Sequence, residues 1–103
     1  MLTLPIKKKW FDMILSGEKT EEYRNITPYY NTRFRNVWGP PEWWYEPHKI
    51  KFRNGYRAFS PFIEAECTLA TGTGKTKWGA EPGKKCFILH IVKITGRGFT
   101  EET

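Results

Sequence analysis

Lys19, Glu22 and Arg24 follow Gly17 in a short polar segment near the start of the chain. In an extended segment, Glu22 and Arg24 project from the same face, where a carboxylate and a guanidinium can form an ion pair. Such a pair holds the guanidinium fork rigidly, and the fork matches the geometry of a phosphate group or a base edge. The spacing therefore predicts an anion-binding group, with Gly17 allowing the tight turn that brings Lys19 to it.

The same residues also allow a purely structural interpretation. Glu22 and Arg24 would then form a salt bridge that closes one end of the fold, and Lys19 would be a solvated loop lysine. The two interpretations differ in whether the turn opens onto a pocket in which the cationic groups meet solvent.

The elements that position this segment follow from hydrophobic periodicity. Trp10, Phe11 and Ile14 recur at helical spacing and predict a first helix, which ends before Gly17. Thr27 is the predicted N-cap of a second helix. The predicted strands cover residues 2–6, 19–25, 49–53, 62–71 and 86–94, and the predicted helices cover residues 7–15 and 28–35.

Two strands and two connections have distinct patterns. Apolar residues alternate with polar ones over residues 62–71, which predicts one buried face, whereas the almost continuously apolar residues 86–94 predict a strand buried on both faces. Asn54 and Gly55 are a hairpin signal, and the residues 72–85, rich in Gly and Lys, predict an exposed loop.

Length and element content predict the fold class. A chain of 103 residues, 39% of them hydrophobic, predicts a single domain over residues 1–103. Five to six short strands with one or two helices indicate an α+β fold that is mostly β. Closure into a small β-barrel would remove the strand edges that otherwise pair between molecules.

The net charge, the apolar runs and the Cys and His residues indicate which partners, cellular location and metal sites to expect. Lys and Arg number 17 against 11 Asp and Glu, and the net charge of +6 favours polyanionic partners. We expect a cytoplasmic protein without a membrane partner, because no apolar run is long enough to span a bilayer and the first residues lack a signal-peptide core. Cys67 and Cys86 are expected as reduced core thiols. His48 and His90 are far apart, so we expect no metal and no cofactor, with His90 as a hydrogen-bonded core histidine.

Aromatic residues make up 17% of the chain and are interleaved with basic ones over residues 29–62. They can stack on bases, or they can fill the core of a small barrel with few aliphatic residues. We expect the core for most of them, and a cleft wall for one or two of Trp38, Trp43, Trp44 and Tyr45. Trp43 and Arg53 are candidates for nucleic-acid binding, and so is Trp78 in the turn-rich stretch before the last strand.

The residues Gly72-Thr73-Gly74-Lys75-Thr76 suggest a phosphate-binding loop. That motif requires a glycine where Leu69 stands, and it requires a helix that begins at the lysine, which is not predicted here. An NTPase is therefore not expected.

The pattern Gly17-x-Lys19-x-x-Glu22-x-Arg24, directly after an amphipathic helix, resembles the ASCH family, a branch of the PUA-like superfamily. The resemblance covers most of the chain in order, from the first strand to the apolar last strand. It implies a PUA-like β-barrel with a positively charged cleft beside the first helix, and the binding of RNA or a nucleotide. Lys19 and Arg24 would contact phosphate or base, and Glu22 would orient Arg24 or accept a hydrogen bond from a base amine.

Some members of this family look like hydrolases, which gives a second hypothesis. A branch that acts on acetylated cytidine uses a Lys, a Thr three residues later and a distant Glu, and here Glu22 stands at the position of that Thr. A ribonuclease would instead use Lys19 and Glu22 as general acid and base, so these two are the catalytic candidates if the protein is an enzyme. The third hypothesis is a protein-interaction module whose exposed tryptophans contact a partner.

Overall fold

The computed structural model describes residues 1–55 and 59–99, and this part of the chain has five strands and two helices. The strands are β1 (Leu2–Pro5), β2 (Glu21–Arg24), β3 (His48–Arg53), β4 (Pro61–Thr73) and β5 (Lys85–Phe99). The helices are α1 (Lys8–Leu15) and α2 (Pro28–Trp38), and single turns of 3-10 helix cover Pro41–Trp43 and Thr76–Trp78. The predicted α+β class and the predicted number of strands and helices are confirmed.

All five strands form one sheet in the order β1-β3-β4-β5-β2. β1 is parallel to β3, and the other neighbouring strands are antiparallel. β1 and β2 are the two edges, and no ladder joins them within the described residues. A side chain connects them, because Arg24 Nη2 on β2 donates to the Pro5 carbonyl oxygen on β1 at 2.7 Å. The sheet therefore curls until its two edges face each other.

The second helix is longer than predicted. Its start is as expected, since Thr27 Oγ1 accepts a hydrogen bond from the Tyr30 amide at 3.2 Å. The helix continues past residue 35 to Trp38, because Phe34 and Trp38 lie one helical turn apart and are both buried. Gly39, with a φ of +74°, ends it.

The core lies between the inner face of the sheet and the two helices. Phe11 of α1 and Phe34 of α2 contribute to one hydrophobic cluster together with the inward residues of β4, which alternate as predicted. Cys67 and Cys86 are buried free thiols, as expected, and Cys67 belongs to the cluster.

The prediction that the last strand is buried on both faces is wrong beyond Leu89. β5 continues to Phe99; it pairs with β4 along its length, whereas β2 pairs with residues 87–90. Val92 and Phe99 are exposed, because pairing at the edges of a strand does not cover the side chains that project from its faces. His90 is exposed as well, not in the core, because side chains alternate along a strand and its neighbour Leu89 takes the inner face.

Two connections also differ from their predictions. The predicted exposed loop at residues 72–85 begins inside β4 and contains buried side chains at Trp78 and Ala80. β3 and β4 form the expected hairpin, and the backbone amide of Asn54 donates to the Pro61 carbonyl oxygen at 2.9 Å, so the connection is longer than a two-residue turn.

Residues 56–58, part of the aromatic and basic segment, lie outside the described residues. Among the helices that the structure describes, none has the length and apolar character needed to cross a membrane.

Candidate functional site

The turn between α1 and β2 carries Lys19 into the interior. Gly17 has a φ of +86°, a left-handed conformation that glycine adopts without a Cβ penalty. The Lys19 amide then donates to the Met13 carbonyl oxygen at 3.0 Å, which holds the returning chain against the end of α1. The predicted role of Gly17 in this turn agrees with its conformation.

The pairing of β2 with β5 determines which way its side chains point. Glu22 lies opposite Leu89, and Arg24 lies opposite Phe87. Residues directly opposite each other in a ladder project from the same face, and both β5 residues are in the core. Glu22 and Arg24 therefore face the inside of the curled sheet.

Lys19 is enclosed by its neighbours, and only 1% of its surface is exposed. Its Nζ donates to the Trp78 carbonyl oxygen at 2.7 Å and lies 3.1 Å from Glu22 Oε1. The ring centroids of Trp10 and Tyr23 are 5.2 and 4.8 Å from the same ammonium, within cation–π range. The expectation that Lys19 meets solvent and a ligand is therefore wrong, because partners from distant parts of the chain surround it.

Burial lowers the pKa of the Lys19 ammonium, because the charge loses its hydration in the interior. The negative charge of Glu22 and its hydrogen bond raise the pKa again in part. An unpaired ammonium at this position would be costly, so the ion pair with Glu22 is what makes the burial of Lys19 tolerable.

Arg24 is held by groups on three different elements. Its Nη2 donates to Glu22 Oε2 at 2.8 Å and to the Pro5 carbonyl oxygen at 2.7 Å, and its Nη1 donates to Tyr30 Oη at 3.2 Å. A guanidinium has five N–H donors, so these three bonds leave two donors unused. One is Nε, which is buried and has no hydrogen-bond partner among the described residues. The guanidinium is therefore fixed in orientation, and apart from the buried Nε its one unused donor is the second N–H of Nη1.

An open cleft of about 310 Å³ lies against Arg24, between the end of β1, the start of α1 and the strand β2. We call it the Arg24 cleft. Its volume is at the lower end of small-molecule sites, which suits one nucleoside or nucleotide. The residues that line it are Pro5, Ile6, Lys7, Trp10, Glu22, Tyr23, Arg24, Asn25, Tyr30, Trp78 and Gly79.

The Arg24 cleft has a positive balance of charge and aromatic walls. Within the described residues, Lys7 and Arg24 are the cations of its lining, and Glu22 is the only acid in it. Lys7 is exposed and forms no ion pair within the part of the chain that the structure describes. Trp10 and Tyr30 are half-buried, and the faces of the Tyr30 ring lie against Phe34 and the Arg24 guanidinium.

The structure brings together some of the site residues expected from the sequence and separates others. Glu22, Arg24 and Trp78 line the Arg24 cleft, whereas Gly17 and Lys19 lie behind it and line no part of it. Trp78 is buried, and it borders the cleft while its carbonyl oxygen holds Lys19.

Trp43 and Arg53 do not belong to this cleft. Trp43 is 48% exposed and lies on the 3-10 turn after α2. Arg53 pairs with Pro5 at the end of the β1–β3 ladder, and its carbonyl oxygen accepts a hydrogen bond from the Ile6 amide at 2.9 Å. Neither is among the residues that line the cleft, which corrects their assignment to the same binding surface as Arg24.

Lys7, Trp10 and Tyr30 are among the cleft residues that were not assigned to the site from the sequence. Trp10 was available as part of the apolar stripe of α1, which leads directly into the turn at Gly17. Tyr30 belongs to the aromatic and basic residues 29–62, but its contact with Arg24 depends on how α2 packs across the sheet. Within residues 1–55 and 59–99, no three His, Cys, Asp or Glu side chains come together as a candidate metal site.

Comparison with known proteins gives no relative from which a function could be transferred. No family model matches the chain, no curated protein matches it, and no solved structure matches it. The function must therefore be inferred from the Arg24 cleft and its side chains.

Proposed function

We propose that the protein binds single-stranded RNA by holding one nucleotide in the Arg24 cleft. The observation that carries this proposal is the oriented guanidinium of Arg24, which lines the cleft and keeps one N–H of Nη1 unused. Such an N–H, on a cation held in a fixed orientation, donates a charge-assisted hydrogen bond to a phosphate oxygen or to an acceptor atom of a base edge.

The other cleft residues suit the remaining parts of a nucleotide. Lys7 is an exposed cation at the same opening and provides a second phosphate contact. Trp10 offers ring surface on which a base can stack, which contributes about 1–3 kcal/mol per base. The faces of the Tyr30 ring already lie against Phe34 and the Arg24 guanidinium. The net charge of +6 attracts the strand over a longer range.

In this proposal Lys19 and Glu22 position Arg24, and Lys19 itself does not contact the ligand. The Lys19 ammonium holds Glu22 Oε1, and Glu22 Oε2 holds Arg24. The resemblance of this segment to the ASCH family supports the same assignment of function. Two buried free thiols are compatible with a reducing compartment, so we propose that the protein acts in the cytoplasm.

Binding is favoured over hydrolysis by the state of the two catalytic candidates. Both carboxylate oxygens of Glu22 are already engaged by cations, and the Lys19 ammonium does not reach the cleft. A general acid or base must be within hydrogen-bond reach of the proton it transfers. Lys19 does not meet that requirement, and Glu22 lines the cleft but has each of its carboxylate oxygens in contact with a cation.

The test is the salt dependence of RNA binding. A fluorescein-labelled single-stranded RNA of about ten nucleotides and mixed sequence is titrated with the protein, and anisotropy gives Kd at several salt concentrations. Lys7→Ala is expected to weaken binding and to reduce the slope of log K against log salt by about 0.7, because one phosphate contact is lost. The matched control Lys8→Ala removes the same charge from a residue that lies outside the cleft and pairs with Asp12.

Three outcomes would count against the proposal. The wild-type protein could fail to retain the RNA at low salt, or Lys7→Ala and Lys8→Ala could reduce the slope equally, which would indicate binding by general charge. If the RNA is cleaved during the titration and the product disappears in Glu22→Gln, the protein is a hydrolase and the binding proposal is replaced by that one.

A further inference from the structure

A second and larger cleft, of about 430 Å³, is lined by residues of α2, of the segment that follows it and of β5. We call it the Trp44 cleft. Three aromatic residues line it, of which Trp44 is half-buried, whereas Phe34 and Phe87 are almost completely buried. Asn31 and Arg35 belong to its lining and are exposed, and Arg35 is the charged residue of the lining within the described part of the chain.

The aromatic rings of the Trp44 cleft are fixed by contacts with the core. Phe34 and Phe87 meet edge to face, with ring centroids 5.0 Å apart, and both are buried. Trp44 is half-buried, and its Nε1 donates to the Gly39 carbonyl oxygen at 3.1 Å, which holds the orientation of the indole. A planar ligand group would therefore meet a preformed aromatic surface.

The two clefts are neighbours on the same face of the sheet. The rings of Tyr30 and Phe34 are stacked with centroids 5.5 Å apart, and Tyr30 lines the Arg24 cleft while Phe34 lines the Trp44 cleft. Likewise, Arg24 and Phe87 are directly opposite in the β2–β5 ladder, and each lines one of the two clefts. A single pair of stacked rings thus separates them.

We propose that the Trp44 cleft is a second nucleotide site and that one RNA strand occupies both clefts at once. The inference rests on the proposed function of the Arg24 cleft. The exposed part of the Trp44 indole takes the face of a base. The amide of Asn31 presents donors and acceptors suited to a base edge, and the guanidinium of Arg35 contacts a phosphate.

Charge favours RNA over an apolar peptide as the occupant. Together the two clefts contain the cations Lys7, Arg24 and Arg35 and the single acid Glu22, whose charge is already used by ion pairs inside the protein. Exposed cations on both sides of an aromatic surface are the arrangement that binds a single strand by its backbone and stacks its bases.

The first measurement is the effect of Arg35→Ala on the affinity for the RNA of about ten nucleotides, compared with Arg33→Ala. Arg33 is the matched control, because it is exposed on the same helix, lies over the Tyr29 ring at 4.5 Å and lines neither cleft. Arg35→Ala is expected to weaken binding more than Arg33→Ala and to reduce the salt slope by a further 0.7 or so. Equal effects of the two variants would overturn the second site.

The second measurement locates the RNA without any substitution. The indole N–H signals of the tryptophans are followed by NMR during titration with the same RNA and, separately, with uridine 5′-monophosphate. We expect the RNA to shift the signals of Trp10, in the Arg24 cleft, and Trp44 together, and we expect its affinity to exceed that of the mononucleotide by at least 5-fold, the lower limit for one further stacked base.

The outcomes separate the two proposals. If the RNA shifts the Trp10 signal and leaves the Trp44 signal unchanged, the second site is refuted and the function proposed for the Arg24 cleft stands. If the wild-type protein does not bind RNA and neither signal moves, both proposals fail together.

Discussion

Glu22→Gln is expected to destabilise the protein strongly, because Glu22 is, among the described residues, the anion that contacts both the buried Lys19 ammonium and the largely buried Arg24 guanidinium. Its carboxylate oxygens lie 3.1 Å from Lys19 Nζ and 2.8 Å from Arg24 Nη2, and the Lys19 side chain has no exposed surface. An amide keeps the shape of the side chain but offers one acceptor and one donor group in place of two acceptors. One of the two cations would then face a donor.

The expected loss follows from the burial of this pair. Removing one partner of a buried ion pair costs about 3–5 kcal/mol, because an uncompensated charge is left inside the protein. A domain of this size has roughly 5–15 kcal/mol of unfolding free energy in total. At about 4–8 °C per kcal/mol, the midpoint of thermal unfolding should fall by at least about 12 °C.

Urea and thermal unfolding, followed by tryptophan fluorescence and circular dichroism, measure this loss. The matched control is Glu64→Gln, which removes a pair between Glu64 on β4 and Lys51 on β3 whose N–O distance is 4.0 Å and whose side chains are about a quarter exposed. It should cost less than about 1 kcal/mol. The double variant Lys19→Met/Glu22→Gln should lose less than the sum of its single variants, because no buried ammonium remains. Equal losses in Glu22→Gln and Glu64→Gln would refute the assignment of a buried charge network.

Two further predictions concern alkaline pH and backbone conformation. Burial raises the pKa of the Cys67 thiol to about 12 from an ordinary 9.0. Between these two pH values the thiol of the unfolded chain ionises and that of the folded chain does not, so the unfolding free energy falls with pH by up to about 1.4 kcal/mol per pH unit. Urea unfolding from pH 8 upward under reducing conditions should therefore give a shallower fall for Cys67→Ala, and identical slopes for the two proteins would contradict this. Gly79→Ala should lower the midpoint of thermal unfolding more than Gly17→Ala. Both glycines have a positive φ, but at Gly79 the new Cβ would lie 2.9 Å from the Trp10 ring, whereas at Gly17 it would meet nothing within 4 Å. Equal shifts of the two midpoints would show that the ring moves aside freely.

The parts of the fold that were predicted correctly depend on local signals. Local patterns of a few residues were sufficient for three features: the cap at Thr27, the alternation along β4, and the order of strands and helices. The ends of the elements were less accurate, because burial of Trp38 extends α2 and pairing with β4 extends β5. Neither effect is visible in a short stretch of sequence.

The candidate site was predicted in part, for the same reason. Glu22 and Arg24 form the expected ion pair, since residues two apart on a strand share a face. The burial of Lys19 could not be predicted, because its hydrogen-bond acceptor belongs to Trp78 and its enclosing rings come from α1 and β2. The contact of Arg24 with Pro5 was hidden too, because it requires the two edge strands to face each other.

The position of β2 in the sheet has a consequence for the order in which the chain can fold. Among the described residues β2 pairs with residues 87–90 alone, so the ladder that holds Glu22 and Arg24 cannot form until those distant residues have been synthesised. Contacts of such large sequence separation slow folding, since the entropy of a long loop must be lost before they form. On a ribosome, α1 and the β3–β4 hairpin can begin to form early, whereas the two cations and the carboxylate between them stay hydrated until the last strand emerges.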